Sequence, residues 1–483
     1  MEIYADGKAP KTSISLTGAP MHMARGTVYY GQGLQLALSA SDGAAFDGSS
    51  VSSKGVSGVK STHYTLNGTA AAYSAALSMN KEGNQSVSYY SVDFVGNEEA
   101  PSSKQFVVDL TAPSTVLSKT GDQSEDVFSA RASFLLTPSD ALSGVDYTSY
   151  TFDGGTARTG TSISLGSLSD GTHTVTWYSE DEVDNKESVH SYSFYLDRIA
   201  PVANIDIQGD LCEGKFDYVS QRSKVNLTAT DNKAGVKGIE YAIGNAPYSA
   251  FNGAMALPNN NGLVSISFRA TDQVNNTSTV YKKTYYLDNQ APNTSISYAR
   301  PQFFKQGELF ITSETPVTLT ARDNASGVVA TTYAIDGGTE TTYNGPFTVP
   351  TEGPRTLTFQ SKDCVQNMEG VKTSRVHVDN SGPSIFHHFS IEPVGKKTVD
   401  GAEVNLYPNY TRLYLGATDE KVGNDRIEYS INGEPFSAYS DPRTLDISEL
   451  DKFTSEKIYT VEVRAFDKLG NKSEATFQFA IGK

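Results

Sequence analysis

The sequence predicts an all-β chain of five tandem β-sandwich domains, and three observations lead to this prediction. First, Asp-x-x-(Ala/Gly)-Pro recurs at spacings of 103, 88, 91 and 91 residues, starting at Asp6, Asp109, Asp197, Asp288 and Asp379. Second, the motif Asp-x-(Val/Leu)-x-Asn begins 16 residues before each of the last four positions, and a fifth copy begins at Asp467. Third, the hydrophobic pattern has period two, and only residues 447–457 look helical. Repetition at this length indicates one structural unit per period.

The strand before each Asp-x-(Val/Leu)-x-Asn motif has one apolar face. The residues six, four and two positions before its first Asp are apolar or small, as in Val175, Trp177 and Ser179, whereas the intervening position holds residues such as Arg269. This alternation is typical of a strand with one buried and one solvated face. A second alternating strand carries a repeated tyrosine, at Tyr64, Tyr150, Tyr241, Tyr333 and Tyr429.

About seven short strands in about 90 residues predict a two-sheet sandwich for each repeat. We place the domains at residues 10–112, 113–200, 201–291, 292–382 and 383–483. Residues 1–9 are predicted to be the end of a missing upstream repeat, because residues 3–10 match residues 194–201. We therefore expect the natural chain to continue N-terminally and the array to stop at its C-terminal end.

Three segments carry a resemblance to known repeats: ATDNKAGV at 229–236, IEYAI at 239–243 and VHVDNSGP at 376–383. They resemble the tandem bacterial immunoglobulin-like repeats of exported and surface proteins. They are also similar to a repeat family first described in an outer-membrane surface protein and labelled "β-barrel type". The resemblance implies immunoglobulin-like or fibronectin-III-like β-sandwich domains in an elongated rod, but such repeats serve as adhesin stalks, spacers or binding modules. Because Arg269, Gln360 and Arg464 occupy the outer strand face, we expect separate sandwiches and not one membrane barrel.

Composition excludes several classes of function. Lys and Arg total 39 against 55 Asp and Glu, a net charge of −16, which repels nucleic-acid phosphates and anionic lipid surfaces. No stretch approaches the roughly 18 apolar residues of a transmembrane helix. Cys212 and Cys364 lie 152 residues apart without a metal-ligand spacing, which predicts two free or buried thiols in separate domains. The seven histidines are scattered and are predicted to lie at the surface.

The repeated aspartates are the candidate metal ligands. In an immunoglobulin-like sandwich the N-terminal linker, the B–C loop and the F–G loop meet at one pole, and each of these places carries an Asp. Three carboxylates with nearby Asn and carbonyl oxygens suit Ca²⁺, so we expect calcium at the junctions between domains and no other cofactor. The alternative is that Asp and Asn bond only the N–H groups of their own turns. The candidate ligands are Asp109, Asp140, Asp181, Asp197, Asp231, Asp272, Asp288, Asp323, Asp363, Asp379, Asp419 and Asp467.

Two irregular segments are the candidate partner-binding loops. The insertion at residues 43–58 carries Phe46, Val51 and Val56, which we predict to contact a ligand. The fifth repeat lengthens the distance from Tyr429 to Asp467 to 38 residues, against 30 or 31 in the three repeats before it. Binding loops are commonly grafted on rigid scaffolds, although an insertion of this kind is also tolerated at a surface without any function.

These observations predict a non-enzymatic fragment of an exported bacterial surface protein. We expect a rod of repeats that serves adhesion or presents a binding tip to a protein or glycan on a target surface. We expect an exported protein that lies at the cell surface, is associated with the outer membrane, or is periplasmic. No catalytic residues are predicted, because no nucleophile elbow, zinc helix or phosphate loop occurs. The alternative function is a passive spacer or stalk of a larger secreted or cell-wall-acting enzyme.

Overall fold

The protein is described by a computed structural model, which covers residues 6–43, 56–399, 401–440, 445–446 and 458–482. Within these residues the regular elements are 44 β-strands, and no helix is long and apolar enough to cross a membrane. The strands form five successive groups, each with its own pair of sheets. We call these groups units one to five. The predicted all-β chain of tandem sandwiches is therefore confirmed.

The strand bounds are as follows. Unit one contains β1 Lys11–Thr17, β2 Met21–Ala24, β3 Thr27–Tyr30, β4 Gln35–Ser41, β5 Val59–Leu66, β6 Thr69–Ala72, β7 Leu77–Ser78, β8 Gly83–Asp93 and β9 Ser102–Val108. Unit two contains β10 Ser114–Thr120, β11 Gln123–Ser124, β12 Val127–Phe128, β13 Ser133–Ser139, β14 Val145–Phe152, β15 Arg158–Thr159, β16 Ser162–Ser164, β17 Gly171–Asp181 and β18 His190–Leu196. Unit three contains β19 Val202–Gln208, β20 Leu211–Glu213, β21 Asp217–Val219, β22 Lys224–Thr230, β23 Val236–Ile243, β24 Ser249–Ala250, β25 Met255–Ala256, β26 Gly262–Asp272 and β27 Tyr281–Leu287.

The last two units follow the same order. Unit four contains β28 Asn293–Tyr298, β29 Gln302–Lys305, β30 Glu308–Ile311, β31 Val317–Arg322, β32 Val328–Ile335, β33 Thr341–Thr342, β34 Gly353–Asp363 and β35 Lys372–Val378. Unit five contains β36 Ser384–Phe389, β37 Gly395–Val399, β38 Ala402–Pro408, β39 Arg412–Thr418, β40 Asn424–Ile431, β41 Ser437–Tyr439, β42 Leu445–Asp446, β43 Ile458–Asp467 and β44 Lys472–Gly482.

One topology is repeated in all five units. A small sheet pairs the first strand with the strand that precedes the B–C turn, as in β19-β22-β25, and a six-stranded sheet has the order β20-β21-β27-β26-β23-β24. The second and third strands of each unit form a short antiparallel hairpin, as β20 and β21 do, and the second strand of this short hairpin pairs in parallel with the last strand of the unit, as β21 does with β27. Because each unit closes its own two sheets, the architecture is that of separate sandwiches, and the label "β-barrel type" is not supported.

A separate hydrophobic core lies between the two sheets of each unit. In unit three Val264, Ile266, Phe268 and Ala270 point alternately inward from β26, and all four are buried. Burying a valine, isoleucine or phenylalanine side chain stabilises the fold by roughly 1.5–3 kcal/mol. Four of the five repeated tyrosines pack against these cores, as Tyr241 does on the core of unit three.

The structure contains more strands per unit than the predicted seven. Units one, two, three and five each have nine described strands and unit four has eight. The additional strands are short, such as β11 and β12 with two residues each. A period-two pattern needs about four residues to be recognised, so strands of this length leave no signal in the sequence.

Candidate metal centre at the unit junctions

Three elements place an Asp at the same pole of each unit. In unit two Asp109 follows the last strand of the preceding unit, Asp140 follows β13 at the B–C turn, and Asp181 is the last residue of β17 at the F–G turn. We call this pole the junction and number it by the unit that supplies the two turns. All five junctions are built from residues that the structure describes.

The F–G turn is closed by its own Asp and Asn. Asp181 Oδ1 accepts hydrogen bonds from the backbone N–H groups of Val183 and Asn185 at 2.9 and 2.8 Å, and Oδ2 accepts one from Asn185 Nδ2 at 2.7 Å. The backbone N–H of Asp181 donates to the carbonyl of Asn185 at 3.0 Å. The spacing of the motif is therefore explained by turn geometry, because a carboxylate two and four residues upstream can accept both amides.

The same Asn holds the linker from the preceding unit. Its Nδ2 donates a second hydrogen bond to the backbone carbonyl of the linker Asp. The donor–acceptor distances are 3.2 Å for Asn97 to Asp6, 3.0 Å for Asn185 to Asp109, 3.0 Å for Asn276 to Asp197, 2.9 Å for Asn367 to Asp288 and 2.8 Å for Asn471 to Asp379. The motif thus joins each unit to the chain segment that enters it.

The B–C turn wraps around its own Asp. Asp140 Oδ2 accepts hydrogen bonds from the N–H groups of Leu142 and Gly144, both at 2.9 Å. Gly144 has φ of 94°, a left-handed conformation that glycine adopts without a steric penalty. The N–H of Ser143, between them, donates to Oδ2 of the linker residue Asp109 at 2.8 Å.

The result is a convergence of three carboxylates at each junction. One carboxylate oxygen from each member lies within 4.8 Å of the others in five described clusters. The clusters are Asp6, Asp42 and Asp93; Asp109, Asp140 and Asp181; Asp197, Asp231 and Asp272; Asp288, Asp323 and Asp363; and Asp379, Asp419 and Asp467. All twelve predicted ligands are therefore brought together in the groups that the repeat indicates, and the first unit adds a fifth group.

Burial and mutual repulsion make one carboxylate costly to ionise in each of junctions two to five, whereas at junction one hydrogen bonds hold the pKa values of Asp6 and Asp93 below their ordinary values. Burial raises the pKa of Asp181, and the nearby negative charge of Asp109 raises it further. Burial is also the largest cause of the raised pKa values of Asp197, Asp363 and Asp467, each with another aspartate of its cluster as a smaller cause. A bound cation would relieve both effects, because it supplies opposite charge and replaces lost water.

Unpartnered buried oxygens are concentrated at the junctions. Among the described residues, seven buried side-chain polar atoms lack a hydrogen-bond partner, and all except Thr411 Oγ1 belong to junction residues. They are Asp42 Oδ1, Ser143 Oγ, Asp231 Oδ1, Ser326 Oγ, Asp379 Oδ2 and Asn424 Oδ1. An unpartnered buried polar group costs about 1–3 kcal/mol. Oxygen atoms left in this way beside three carboxylates fit a hard cation that takes oxygen ligands, as Ca²⁺ does.

Sequence reasoning missed a second role of the F–G motif, which is contact with the preceding unit. The central apolar residue of the motif is buried at Val183, Val274, Val365 and Leu469 but 61% exposed at Val95 in unit one. Leu469 packs with Phe310 of unit four. The apolar character of this position in a turn was the available signal, since a turn residue without a partner is usually polar.

The prediction that Cys212 and Cys364 are two free or buried thiols is wrong, although the two residues do lie in separate units. Cys212 and Cys364 form a disulfide with a Cα–Cα distance of 5.8 Å. Cys212 lies in β20 of unit three, and Cys364 is the second residue of the F–G motif of unit four. Neighbouring units touch through these two elements, so the separation of 152 residues becomes a contact. The linear spacing gave no sign of it because the partners belong to different repeats.

The prediction that the histidines lie at the surface is wrong for His173, which is buried in unit two. Its Nδ1 lies 2.7 Å from Asp153 Oδ2, and its Nε2 lies 2.9 Å from the carbonyl oxygen of Ser169. Burial lowers the pKa of this imidazole, but the two acceptors outweigh it and the pKa lies above its ordinary value. His173 is therefore an internal ion-pair partner and not a surface residue.

The predicted binding loops are only partly described. Phe46 and Val51 lie outside the described residues, as do residues 441–444 and 447–457 of the longer segment in unit five. Val56 is half-buried and precedes Gly58, whose N–H donates to Asp42 Oδ2 at 2.8 Å. The described end of the insertion therefore borders the first carboxylate cluster, and ligand contact by these residues stays a prediction.

No protein-family model matches this chain, and no curated protein matches it. Among solved structures, it is similar to one described in "Structural insight into host cell surface retention of a 1.5-MDa bacterial ice-binding adhesin", with 15% identity over 59% of this chain and 100% of that one and a TM-score of 0.30. A tetra-tandem repeat from the extending region of a large adhesion protein is 15% identical to this chain. The match covers 76% of this chain and 100% of that one, with a TM-score of 0.29. The human desmocollin-1 ectodomain is 10% identical to this chain over 87% of this chain and 92% of that one, with a TM-score of 0.23. Similarity at this level concerns the β-sandwich fold alone.

Proposed function

We propose that this chain is a non-catalytic repeat rod of an exported bacterial surface protein, and that Ca²⁺ at its junctions holds consecutive units in a fixed orientation. The observation that supports the proposal is the recurrence of one three-carboxylate cluster at all five junctions, each with the linker tied to the F–G turn. A catalytic pocket is a local specialisation, whereas a feature copied in every unit suits a property of the whole array.

The calcium ligands would come from both sides of a junction. At junction three, Asp197 belongs to the linker, whereas Asp231 and Asp272 belong to the turns of unit three. A cation shared by these carboxylates resists any change in the angle between linker and unit, because bending would separate its ligands. Ca²⁺ also accepts seven or so oxygens at about 2.3–2.6 Å, which leaves room for carbonyl oxygens and water.

The calcium proposal is tested by counting bound ions in the full chain by native mass spectrometry and following thermal unfolding with calcium and with chelator. We expect several bound ions and a higher unfolding temperature in calcium. Asp231→Asn should remove one ion, because it lowers the ligand charge at junction three. Asp146→Asn is the control, since Asp146 is exposed on β14 outside the clusters. Absence of calcium uptake, or equal unfolding temperatures with and without chelator, would refute the metal.

The rod is tested by small-angle X-ray scattering of the same protein. We expect an elongated particle in calcium and a broader distribution of shapes in chelator, because the junctions then lose their shared cation. The variant Asp231→Asn should reproduce part of the chelator effect at a single junction. An elongated shape that is identical under both conditions would contradict the role of calcium in holding the units, and a compact particle would contradict the rod itself.

Export is supported by the disulfide between Cys212 and Cys364, because such bonds persist in oxidising compartments such as the periplasm and the cell exterior. The adhesive role is the more specific part of the proposal, and its expected partner is a protein or glycan on a target surface. Binding of the labelled chain to an array of glycans and matrix proteins tests it. Silence across the array would favour the passive spacer in place of the adhesin.

A further inference from the structure

Junction five differs from the others in the groups around its linker carboxylate. Elsewhere Oδ2 of the linker Asp accepts an N–H from the B–C turn, as Asp197 Oδ2 does from Ala234 at 2.9 Å. In unit five the corresponding N–H, that of Val422, donates to Asp419 Oδ1 at 2.7 Å. Oδ2 of Asp379 is left buried without a partner. The B–C turn of unit five therefore donates no backbone hydrogen bond to Oδ2 of its linker Asp.

A lysine contacts the other oxygen of the same carboxylate. Lys421 Nζ lies 3.1 Å from Asp379 Oδ1 and also contacts Glu352 Oε1 of unit four at 2.5 Å. Asp379 is fully buried, so this ion pair is shielded on one side, whereas the lysine itself remains about one-third exposed. Glu352 is tied to the linker as well, because Ser381 Oγ donates to its Oε1 at 2.8 Å. Lys421 thus bridges unit four, the linker and unit five.

Unit three provides an internal comparison. Lys233 occupies the same position in its B–C turn, two residues after Asp231, yet its Nζ lies 4.9 Å from the centroid of the Tyr195 ring. The carboxylates of junction three accept hydrogen bonds from backbone amides, that of Lys233 included, and from the Asn276 side chain, and no described lysine ammonium group contacts them. A lysine in this turn does not by itself reach the cluster. The contact at junction five depends on the altered turn and on Glu352.

We infer that Lys421 is a built-in cation of junction five, which competes with Ca²⁺ for Asp379 and holds that junction when calcium is scarce. This inference rests on the proposed calcium function. A positive charge beside the linker carboxylate repels a divalent ion, and its ion pairs must be given up or shared when the ion binds. Junction five is therefore the weakest calcium site of the chain and the one that depends least on calcium for its closure.

The test counts calcium ions bound to the full chain by native mass spectrometry across a series of free calcium concentrations. The wild-type chain should take up the ion of junction five last, in a step well separated from the uptake of the other ions. Lys421→Met keeps the aliphatic stem and removes the charge, and it should shift the last step about tenfold towards lower calcium, as expected for a unit charge about 5 Å from a divalent ion in a wet site. Lys421→Arg, which keeps the charge, should leave the wild-type steps in place.

Two further variants assign the shift to junction five. Asp467→Asn should remove the ion of junction five, as Asp231→Asn does at junction three, so Lys421→Met should cause no further shift in that background. Lys233→Met is the matched control in unit three and should change the steps less than Lys421→Met does. In chelator, Lys421→Met should also lower the unfolding temperature of unit five relative to wild type, because the junction then has neither cation.

The outcomes separate this inference from the proposed function. Calcium uptake in wild type with an unchanged last step in Lys421→Met would overturn the inference and leave the calcium function standing. One ion bound only by Lys421→Met would support the inference and overturn calcium binding at the other junctions. No ion in either protein would overturn both.

Discussion

The side-chain amide of Asn276 in unit three donates a hydrogen bond of 3.0 Å to the backbone carbonyl of Asp197, the first residue of the linker that enters the unit. The same amide group donates to Asp272 Oδ2 at 2.8 Å. Both hydrogens of one side chain are thus used to connect a turn to a linker. Asn276 is 9% exposed, so neither acceptor can readily take water in its place.

We predict that Asn276→Ala destabilises unit three by about 1–3 kcal/mol, because it leaves two buried acceptors without their donor. Chemical denaturation of the full chain, followed by a probe in unit three, measures the change. Asn204→Ala on the exposed face of β19 serves as the control and should cost less than about 0.5 kcal/mol. Equal effects of the two substitutions would show that the hydrogen bonds to the linker and turn contribute nothing measurable.

The central valine of the F–G motif allows a comparison within one chain. Val183 is 1% exposed and lies against Gly31 of unit one, whereas Val95 occupies the same motif position in unit one and is 61% exposed. We predict that Val183→Ala costs about 2 kcal/mol through lost burial, and that Val95→Ala costs almost nothing. The difference should appear as weaker coupling between the unfolding of units one and two in calorimetry. A similar cost for both variants would contradict burial at the interface.

Reduction of the Cys212–Cys364 disulfide should uncouple units three and four without unfolding either one. Each unit has its own core, so the bond is not needed to close a sandwich. Chain-entropy arguments assign a cross-link over a loop longer than 100 residues about 4–5 kcal/mol. We expect the calorimetric transitions of the two units to separate in reductant and in Cys212→Ser. Collapse of both units on reduction would contradict independent cores.

The ion pair of His173 and Asp153 predicts a pH dependence confined to unit two. The pKa of His173 is raised in the folded state, so the stability that it contributes is complete below the unfolded-state pKa and is lost as pH rises through the folded value. The pKa of Asp153 is lowered despite partial burial, because His173 and the Thr174 N–H bond its carboxylate, and its contribution is lost only in acid. Unit two should therefore lose stability as pH rises above the ordinary histidine pKa of about 6.5 and through the higher pKa of the folded state.

His173→Gln should remove most of this pH dependence, because glutamine does not titrate, while the other units keep their wild-type behaviour. His63 offers a control substitution, His63→Gln, since it lies in unit one outside this pair. The measurement is the unfolding temperature of each calorimetric transition across the pH series. A wild-type profile in His173→Gln would contradict the assignment.

The fold and the carboxylate clusters could be predicted from the sequence because both are repeated. Five copies of a short motif show which residues occupy equivalent positions in the units. Period-two alternation shows which face of each strand is buried. Asp109, Asp140 and Asp181 lie far apart in the chain, yet a sandwich brings the corresponding loop ends to one pole. Physical reasoning about the fold was sufficient for this grouping.

Contacts between units could not be predicted in the same way. The pairing of Cys212 with Cys364 and the reach of Lys421 to Asp379 depend on how one unit sits against the next, and neither produces a hydrophobic period. The burial of His173 depends on two acceptors that are 20 and 4 residues away in the chain. Such relationships are specific to one unit, so repetition gives no help in finding them.

The second residue of the F–G motif meets the short hairpin of the preceding unit through a different chemistry at different junctions. His22 pairs with Glu182 at 3.0 Å, Cys212 bonds to Cys364, and Lys468 lies 4.8 Å from the ring centroid of Phe303. Exchanging two units would therefore set a thiol against a carboxylate or an aromatic ring. The order of the units is encoded in these unlike contacts, and the same divergence discourages adjacent copies from misfolding into one another during synthesis, a characteristic hazard of repetitive chains.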